Sequence, residues 1–233
     1  MVLWATQRSR HAREHSLHLD SRRGLGQTRN PLMSARLLLV RHGQITANVE
    51  SRWHGSTDGE LTARGHEQAR RVATHVAHAY PELAAVYTSP LRRARDTAAP
   101  IAAALGLAPI VRPGLAEYGI GVLENETFAD LAACHGFFER SEADLAWAPA
   151  GGESLGAVAT RVVATWRDVA RAHPGACVAL VSHGAAIATG IATLIDGDPR
   201  AWSRYRLRNT SVTEVVLHPA PRVVALDRVD HLD

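Results

Sequence analysis

The chain contains no lysine; all 26 of its basic residues are arginine. That excludes a Schiff-base lysine, a catalytic lysine and the lysine-bearing phosphate loop of nucleotide hydrolases. The absence of lysine reads as a bias of coding composition. Cysteine is nearly as scarce. Cys134 and Cys177 are too few for a disulfide scaffold, and no Cys-x-x-Cys pair marks a structural zinc. No apolar run approaches the roughly 20 residues of a membrane span. With 46% hydrophobic and 21% charged residues, the 233-residue chain is globular stock, long enough for one substantial α/β domain or two small ones.

The net charge of +3 is unevenly placed. Residues 1–32 hold six arginines against Glu14 and Asp20, a balance of +4. The remaining 201 residues hold 20 arginines against 21 acids, a balance of −1. The basic character therefore belongs to a tail. That tail shows no sustained helical or strand period, no apolar leader core and no small-residue cleavage site, and its Arg22-Arg23 pair precedes no apolar run. Residues 1–33 are expected to be a disordered Arg/His-rich extension. Met33 looks like a natural start, so the tail reads as the product of an upstream start codon. The folded domain is expected over residues 34–233, in a cytoplasmic protein with no nucleic-acid or membrane partner; the oligomeric state is not legible.

Within that domain, Arg36–Arg41 and Cys177–Ser182 are short continuous apolar runs, the mark of buried strands. Ala84–Thr88 is a third candidate strand and Ile110-Val111 a short fourth. Val212–Leu217 and Val223–Leu226, separated by Pro219-Ala220-Pro221, suggest a closing antiparallel pair. Helical spacing follows Thr62, with Ala69, Val72, Ala73 and Val76 on one face, and recurs from Leu155 to Ala170 and over 185–195. Ser89-Pro90 reads as a cap and first-turn proline, and Pro100 is expected to kink or break the helix that follows. Strands alternating with helices imply a three-layer α/β/α sandwich on a mostly parallel sheet. Ligands of such sheets bind beyond the carboxyl ends of the strands. Two strands end alike, in Leu-Val-Arg-His-Gly and Leu-Val-Ser-His-Gly, which places His42 and His183 on the same rim. With Arg41 beside the first histidine and Arg92-Arg93 opening a helix after a strand, the pattern suits a phosphate.

The motifs extend further: Arg41-His42-Gly43-Gln44, Asn48, Gly55–Thr62, Ser89–Thr97, Leu115–Glu117, Gly151–Ser154, Val181–Gly184 and Asn209–Ser211. This ordered set, spanning residue 34 to about 217, resembles the histidine phosphatase superfamily, the phosphoglycerate mutase-like fold. The resemblance implies His42 as the nucleophile that becomes phosphohistidine and Glu117 as proton donor. It implies Arg41, Arg93, His183, Asn48 and Gly184 as the phosphate pocket. Burial would tune Glu117 for its acid role, and Arg41 and Arg93 would keep His42 neutral. No metal or cofactor is expected, and the implied partner is a small phosphorylated metabolite. Ile45, Leu123 and Asn125 stand where the family commonly has Thr, Trp and Gly.

Within the family, only 65 residues separate Glu117 from His183, too few for the basic insertion of cofactor-dependent phosphoglycerate mutases; this favours the phosphatase branch. Other readings stand beside it. Gly152–Gly156 is a formal Gly-x-Ser-x-Gly, followed in chain order by Asp196 and His218, as in serine hydrolases. His42, His183 and Glu117 could instead ligate a metal, or the domain could bind a phospho-ligand without catalysis. Arg204, Arg206 and Arg208 read as a solvated edge or a second anion contact, and Trp147 as packing or substrate rim.

Overall fold

A computed structural model describes residues 35–233. The expected extension over 1–33 lies outside the described residues. Six strands form one sheet: β1 (Arg36–Arg41), β2 (Ala85–Thr88), β3 (Pro109–Val111), β4 (Cys177–Ser182), β5 (Val212–Val216) and β6 (Arg222–Arg228). Their order across the sheet is β3-β2-β4-β1-β5-β6. The β3-β2-β4-β1 portion is parallel; β5 and β6 add an antiparallel edge.

The helices are α1 (Thr46–Val49), α2 (Ala63–Ala79), α3 (Arg92–Ala104), α4 (Phe128–Ala133), α5 (Phe137–Ala143), α6 (Leu155–Ala172) and α7 (Gly184–Ile191). Side chains alternate across each strand, so the continuous apolar runs feed two cores. Leu38, Val40, Ala179 and Val181 face α2 and α3, against Val72, Val76, Ala98 and Ile101. Leu37, Leu39, Val178 and Leu180 face the other way, towards α6, α7 and a cluster of aromatic rings around Trp166, Tyr118 and Phe137. This is the three-layer sandwich that the alternation of elements implies.

Thr62 and Ser154 cap α2 and α6, each side-chain oxygen accepting the N–H three residues on, at 3.0 and 3.2 Å. The start of α3 differs from the sequence expectation. The capping position is Leu91, not Ser89, and the helix opens at Arg92. Ser89 is instead occupied in the site described below. The helix also runs through Pro100 to Ala104 without a break. The proline removes one donor, while buried Ala98, Ile101 and Ala102 hold both sides of it against the sheet. The helix over 185–195 is α-helical to Ile191 and widens to a π-turn over Ala192–Asp196.

One close approach fixes the segment after β1. A Cβ on Gly43 would lie 2.6 Å from the Gly65 carbonyl oxygen, and one on Gly65 would lie 2.2 Å from that of Gln44. Only paired glycines let the first turn of α2 sit this near the strand end. The three departures from the family pattern also have structural places. Ile45 is buried and precedes α1, Leu123 packs on the larger core, and Asn125 holds φ 71°, a left-handed conformation that Asn tolerates better than most residues. No helix among the described residues is long and apolar enough to cross a membrane.

Candidate active site

Strand register brings the two histidines together. In the parallel β1/β4 ladder Arg41 pairs with Ser182, so the next residue on each strand, His42 and His183, leaves the sheet at the same level. Their ring centroids are 5.1 Å apart. Both are buried, and His42 lines a cleft of about 680 Å³ together with Arg41, Asn48, Arg93, Glu117 and Gly184.

The protonation of each ring follows from its partners. His42 Nδ1 lies 2.7 Å from the Gly43 carbonyl oxygen. A carbonyl can only accept, so the proton sits on Nδ1 and Nε2 keeps its lone pair. Burial, then the charges of Arg93 and Arg41, hold this imidazole well below its usual pKa. The arginines thus act in the expected sense, but desolvation is the larger cause. His183 Nδ1 receives the Nε–H of Arg93 at 3.2 Å, and its Nε2 lies 2.7 Å from Ser89 Oγ. Arginine cannot accept, so His183 carries its proton on Nε2 and donates to Ser89. Burial, followed by Arg93 and His42, also keeps this ring neutral. His183 therefore stands behind His42, with both nitrogens engaged inside the protein.

Arg93 is almost wholly buried. Its Nη1 donates to the Thr57 carbonyl at 2.8 Å, and Nη2 to those of His54 and Gly55 at 2.8 and 2.9 Å. Arg41 is held differently. Its Nη1 donates to the Leu207 carbonyl, while its Nε is buried without a partner. The group packs over Gly184, where a Cβ would sit 3.4 Å from both Cζ and Nε. A buried guanidinium N–H with no protein partner beside a cleft can donate to a ligand oxygen. Asn48 Oδ1 accepts from Ile45 N and from Asn209 Nδ2, each at 3.1 Å, which commits the carbonyl side of the amide to the protein.

Glu117 is half-buried rather than deeply buried. Its carboxylate accepts three backbone N–H groups: Tyr118 and Ala186 at 2.8 Å, and Ala185 at 3.2 Å. Two of these belong to the first turn of α7, so the acid caps the helix that His183 introduces. Sequence reasoning missed what holds Glu117 there. Arg161 on α6 donates to the carbonyls of Gly114, Ala116 and Glu117 at 3.2, 2.7 and 2.8 Å, and pairs with Glu153 at 2.6 Å. Glu124 makes a similar tie, accepting the Ser56 and Thr57 N–H groups at 2.5 and 2.6 Å. Burial works against its ionisation, but hydrogen bonds from Thr57, Ser56 and Ile120 outweigh it and lower its pKa. Ser89 was equally invisible as a functional residue, because a Ser-Pro dipeptide before a helix reads as a cap. The motif blocks Gly55–Thr62, Ser89–Thr97, Leu115–Glu117 and Gly151–Ser154 signalled that these segments mattered, but not which of their side chains do so.

The rival readings fare differently. Ser154 Oγ is spent capping α6, and no strand leads into it, whereas a nucleophile elbow needs one. Among the described residues, no group of three or more His, Cys, Asp or Glu converges as a metal ion would require. Trp147 packs on Phe137, with Arg140 over its ring at 4.2 Å, away from the cleft lining. Arg204 and Arg208 pair with Asp196 and Asp227, while Arg206 lines the cleft mouth.

Comparison with known proteins adds an independent line. The model of the histidine phosphatase superfamily (branch 1) matches residues 37–227. A protein of Photorhabdus laumondii named probable phosphoglycerate mutase GpmB is 34% identical over 187 residues, covering 78% of this chain and 85% of that one. Among solved structures, phosphoserine phosphatase of Entamoeba histolytica in complex with 3-phosphoglyceric acid superposes with a TM-score of 0.77. It has 29% identity and covers 85% of this chain and 100% of its own. A mycobacterial glucosyl-3-phosphoglycerate phosphatase complexed with VO3 gives a TM-score of 0.73 at 29% identity, over 83% of this chain and 99% of its own.

Proposed function

This chain belongs to the histidine phosphatase superfamily, and from that premise we propose that it hydrolyses small phosphomonoesters through a phosphohistidine on His42. The observation that carries the reading is the pairing of an unprotonated His42 Nε2 with the unpartnered Nε–H of Arg41 in the lining of one cleft. A neutral imidazole is a competent nucleophile, and splitting hydrolysis into two transfers lowers each barrier.

In the first transfer His42 Nε2 attacks phosphorus in line and the bond from phosphorus to the alcohol oxygen breaks. Arg41, Arg93, the amide nitrogen of Asn48 and the backbone at Gly184 take up charge on the equatorial oxygens. Glu117 gives a proton to the departing alkoxide. In the second transfer a water attacks the phosphohistidine, Glu117 takes its proton, and phosphate leaves with His42 neutral again. His183 acts through its neighbours: it fixes Arg93 and stands between that guanidinium and Ser89.

A second reading, phosphoglycerate mutase-type transfer, is favoured by the names of the 34%-identical relatives. The cleft supports hydrolysis instead. Between Glu117 and His183 the arginines are Arg140, Arg161, Arg167 and Arg171, and none lines the cleft. Arg140 covers Trp147, Arg161 clamps the Glu117 segment, and Arg171 pairs with Asp168. They leave no basic grip for a second phosphate on that side.

The test is release of phosphate from p-nitrophenyl phosphate in excess EDTA, wild type against His42→Ala, with mass spectrometry of the His42 peptide after rapid quench. Activity that survives EDTA, disappears in the variant and leaves phosphate on His42 supports the proposal. Activity lost to EDTA overturns it. Interconversion of 2- and 3-phosphoglycerate without net phosphate release would favour the mutase.

A further inference from the structure

The residues proposed to hold phosphate make up only part of the lining of the cleft. Its volume, about 680 Å³, falls in the range of about 300–1,000 Å³ typical of sites for larger organic ligands. A three-carbon phospho-acid would leave most of that space to water. What the rest of the lining offers is aromatic surface. Trp53, Phe128, Phe138 and Trp202 line it, brought from four separate segments of the chain.

The rings form one packed wall. Trp53 is 4% exposed and pinned by its Nε1–H to the Tyr118 carbonyl at 3.0 Å. Phe128 and Trp202 flank it, with ring centroids 5.5 and 6.0 Å away, and Phe138 stacks on Trp202 at 6.2 Å and 29°. Phe128, the first residue of α4, remains 46% exposed. An apolar face left open inside a ligand cleft is costly until an apolar group covers it, and an aromatic ring gains beyond the area it covers.

The polar groups narrow the choice of cover. Among the described residues Glu117 is the one carboxylate of the lining and Asn48 and Asn209, which bond to each other, its amides, while Ser51, Arg52, His54, Ser203, Tyr205 and Arg206 add hydroxyls, an imidazole and two guanidinium groups. Several of these are already engaged, Arg52 with the Asn125 carbonyl and Glu50, His54 with Asn125 and Tyr205 with Asp196, which leaves fewer for the hydroxyls of a sugar. A planar ring needs none: it gains by stacking, and polar groups there would be left unpaired. Arg206 at the mouth would suit a carboxylate, so a phospho-acid is the competing candidate.

We infer that the preferred substrate is a phosphomonoester whose alcohol carries a flat aromatic ring, seated on the wall of Trp53, Phe128, Phe138 and Trp202. The inference rests on the phosphomonoesterase reading above and specifies its substrate class. Position supports it: with phosphate at Arg41 and His42, the remainder of the molecule lies in the same cleft that Glu117 and the four rings line.

The experiment compares kcat/KM for 2-phenylethyl phosphate, 2-cyclohexylethyl phosphate, ethyl phosphate, glucose 6-phosphate and 3-phosphoglycerate. The alkyl leaving groups are closely matched in basicity, so the comparison reads the wall and not the chemistry. The phenyl ester is expected to lead. In Phe128→Ala the ratio of phenylethyl to ethyl phosphate should fall about threefold to tenfold, the worth of one aromatic contact. A wild-type ratio near one, a lead for 3-phosphoglycerate or glucose 6-phosphate, or a ratio unmoved by the substitution overturns the inference and leaves the hydrolase reading intact. Failure to turn over any ester, p-nitrophenyl phosphate included, overturns the hydrolase reading. The substrate class is then read by tryptophan-fluorescence titration with 2-phenylethylphosphonate against ethylphosphonate. Tighter binding of the first, weakened in Phe128→Ala, supports it; equal binding overturns it.

Discussion

Arg93 gives its Nε–H to Nδ1 of His183 across 3.2 Å, and that one bond settles the protonation of the ring beside His42. Because the proton must then sit on Nε2, His183 donates to Ser89, and a neutral pair of imidazoles lies between two guanidinium groups.

The neutrality has a pH signature. Both rings titrate below the ordinary imidazole value of 6.5. Below pH 6.5 the unfolded chain binds protons that the folded chain refuses, so stability falls as the pH falls. His231, pushed down to about 4 mainly by burial, acts in the same direction between pH 6.5 and 4. Urea midpoints are expected to drop between pH 7 and pH 5, and to drop less in His183→Gln. Equal pH dependence in the two proteins would refute the assignment, as would an NMR titration of the His42 ring centred near 6.5.

Glu117→Gln should do two things at once. An amide in place of the carboxylate sets its NH2 against backbone donors that now point at Oε1 and Oε2, so the start of α7 loses a cap and stability falls by about 1–2 kcal/mol. As the proposed acid, its loss should lower kcat about 10²–10⁴-fold on alkyl phosphates, and far less on p-nitrophenyl phosphate, whose leaving group needs no proton. Equal losses on both substrates would remove Glu117 from the acid role.

Arg161 does not itself line the cleft, yet three of its contacts are carbonyls on the segment carrying Glu117, that of Glu117 included. Arg161→Gln is expected to lower kcat more than it changes KM, with the same dependence on leaving group as Glu117→Gln but smaller in size. Lysine should not rescue it, because a point charge cannot reach three carbonyls and Glu153 from one planar fork. A variant that loses stability but shows no leaving-group dependence would make Arg161 a purely structural clamp.

Ser154→Ala separates the phosphatase from the serine-hydrolase reading. The side chain caps α6, so its removal should cost about 1 kcal/mol in a urea melt. Phosphatase activity at a temperature where the variant is folded should stay within twofold of wild type. A loss of orders of magnitude would return Ser154 to the list of nucleophiles.

Much of this molecule was written in local pattern. Continuous apolar runs marked β1 and β4 because strands covered on both faces need apolar residues on both. The repeated ending in His-Gly put His42 and His183 on one rim because parallel strands finish together. Period alone could not show that α3 begins after Leu91, because Ser89 reads as a cap, whereas its Oγ accepts the Leu91 N–H ahead of the helix and also meets His183, 94 positions away in sequence.

The sequence by itself determined the layers, the rim and the residue types that gather there, since these depend on hydrophobic periodicity and on chain order. Tertiary structure alone decided which nitrogen of each histidine holds a proton, that Arg161 and Glu153 grip the Glu117 segment, and that four aromatic residues from distant segments share one wall. Those are contacts between residues far apart along the chain. No spacing records them, because the distances that set their energies exist only once the sheet has closed and its loops are packed.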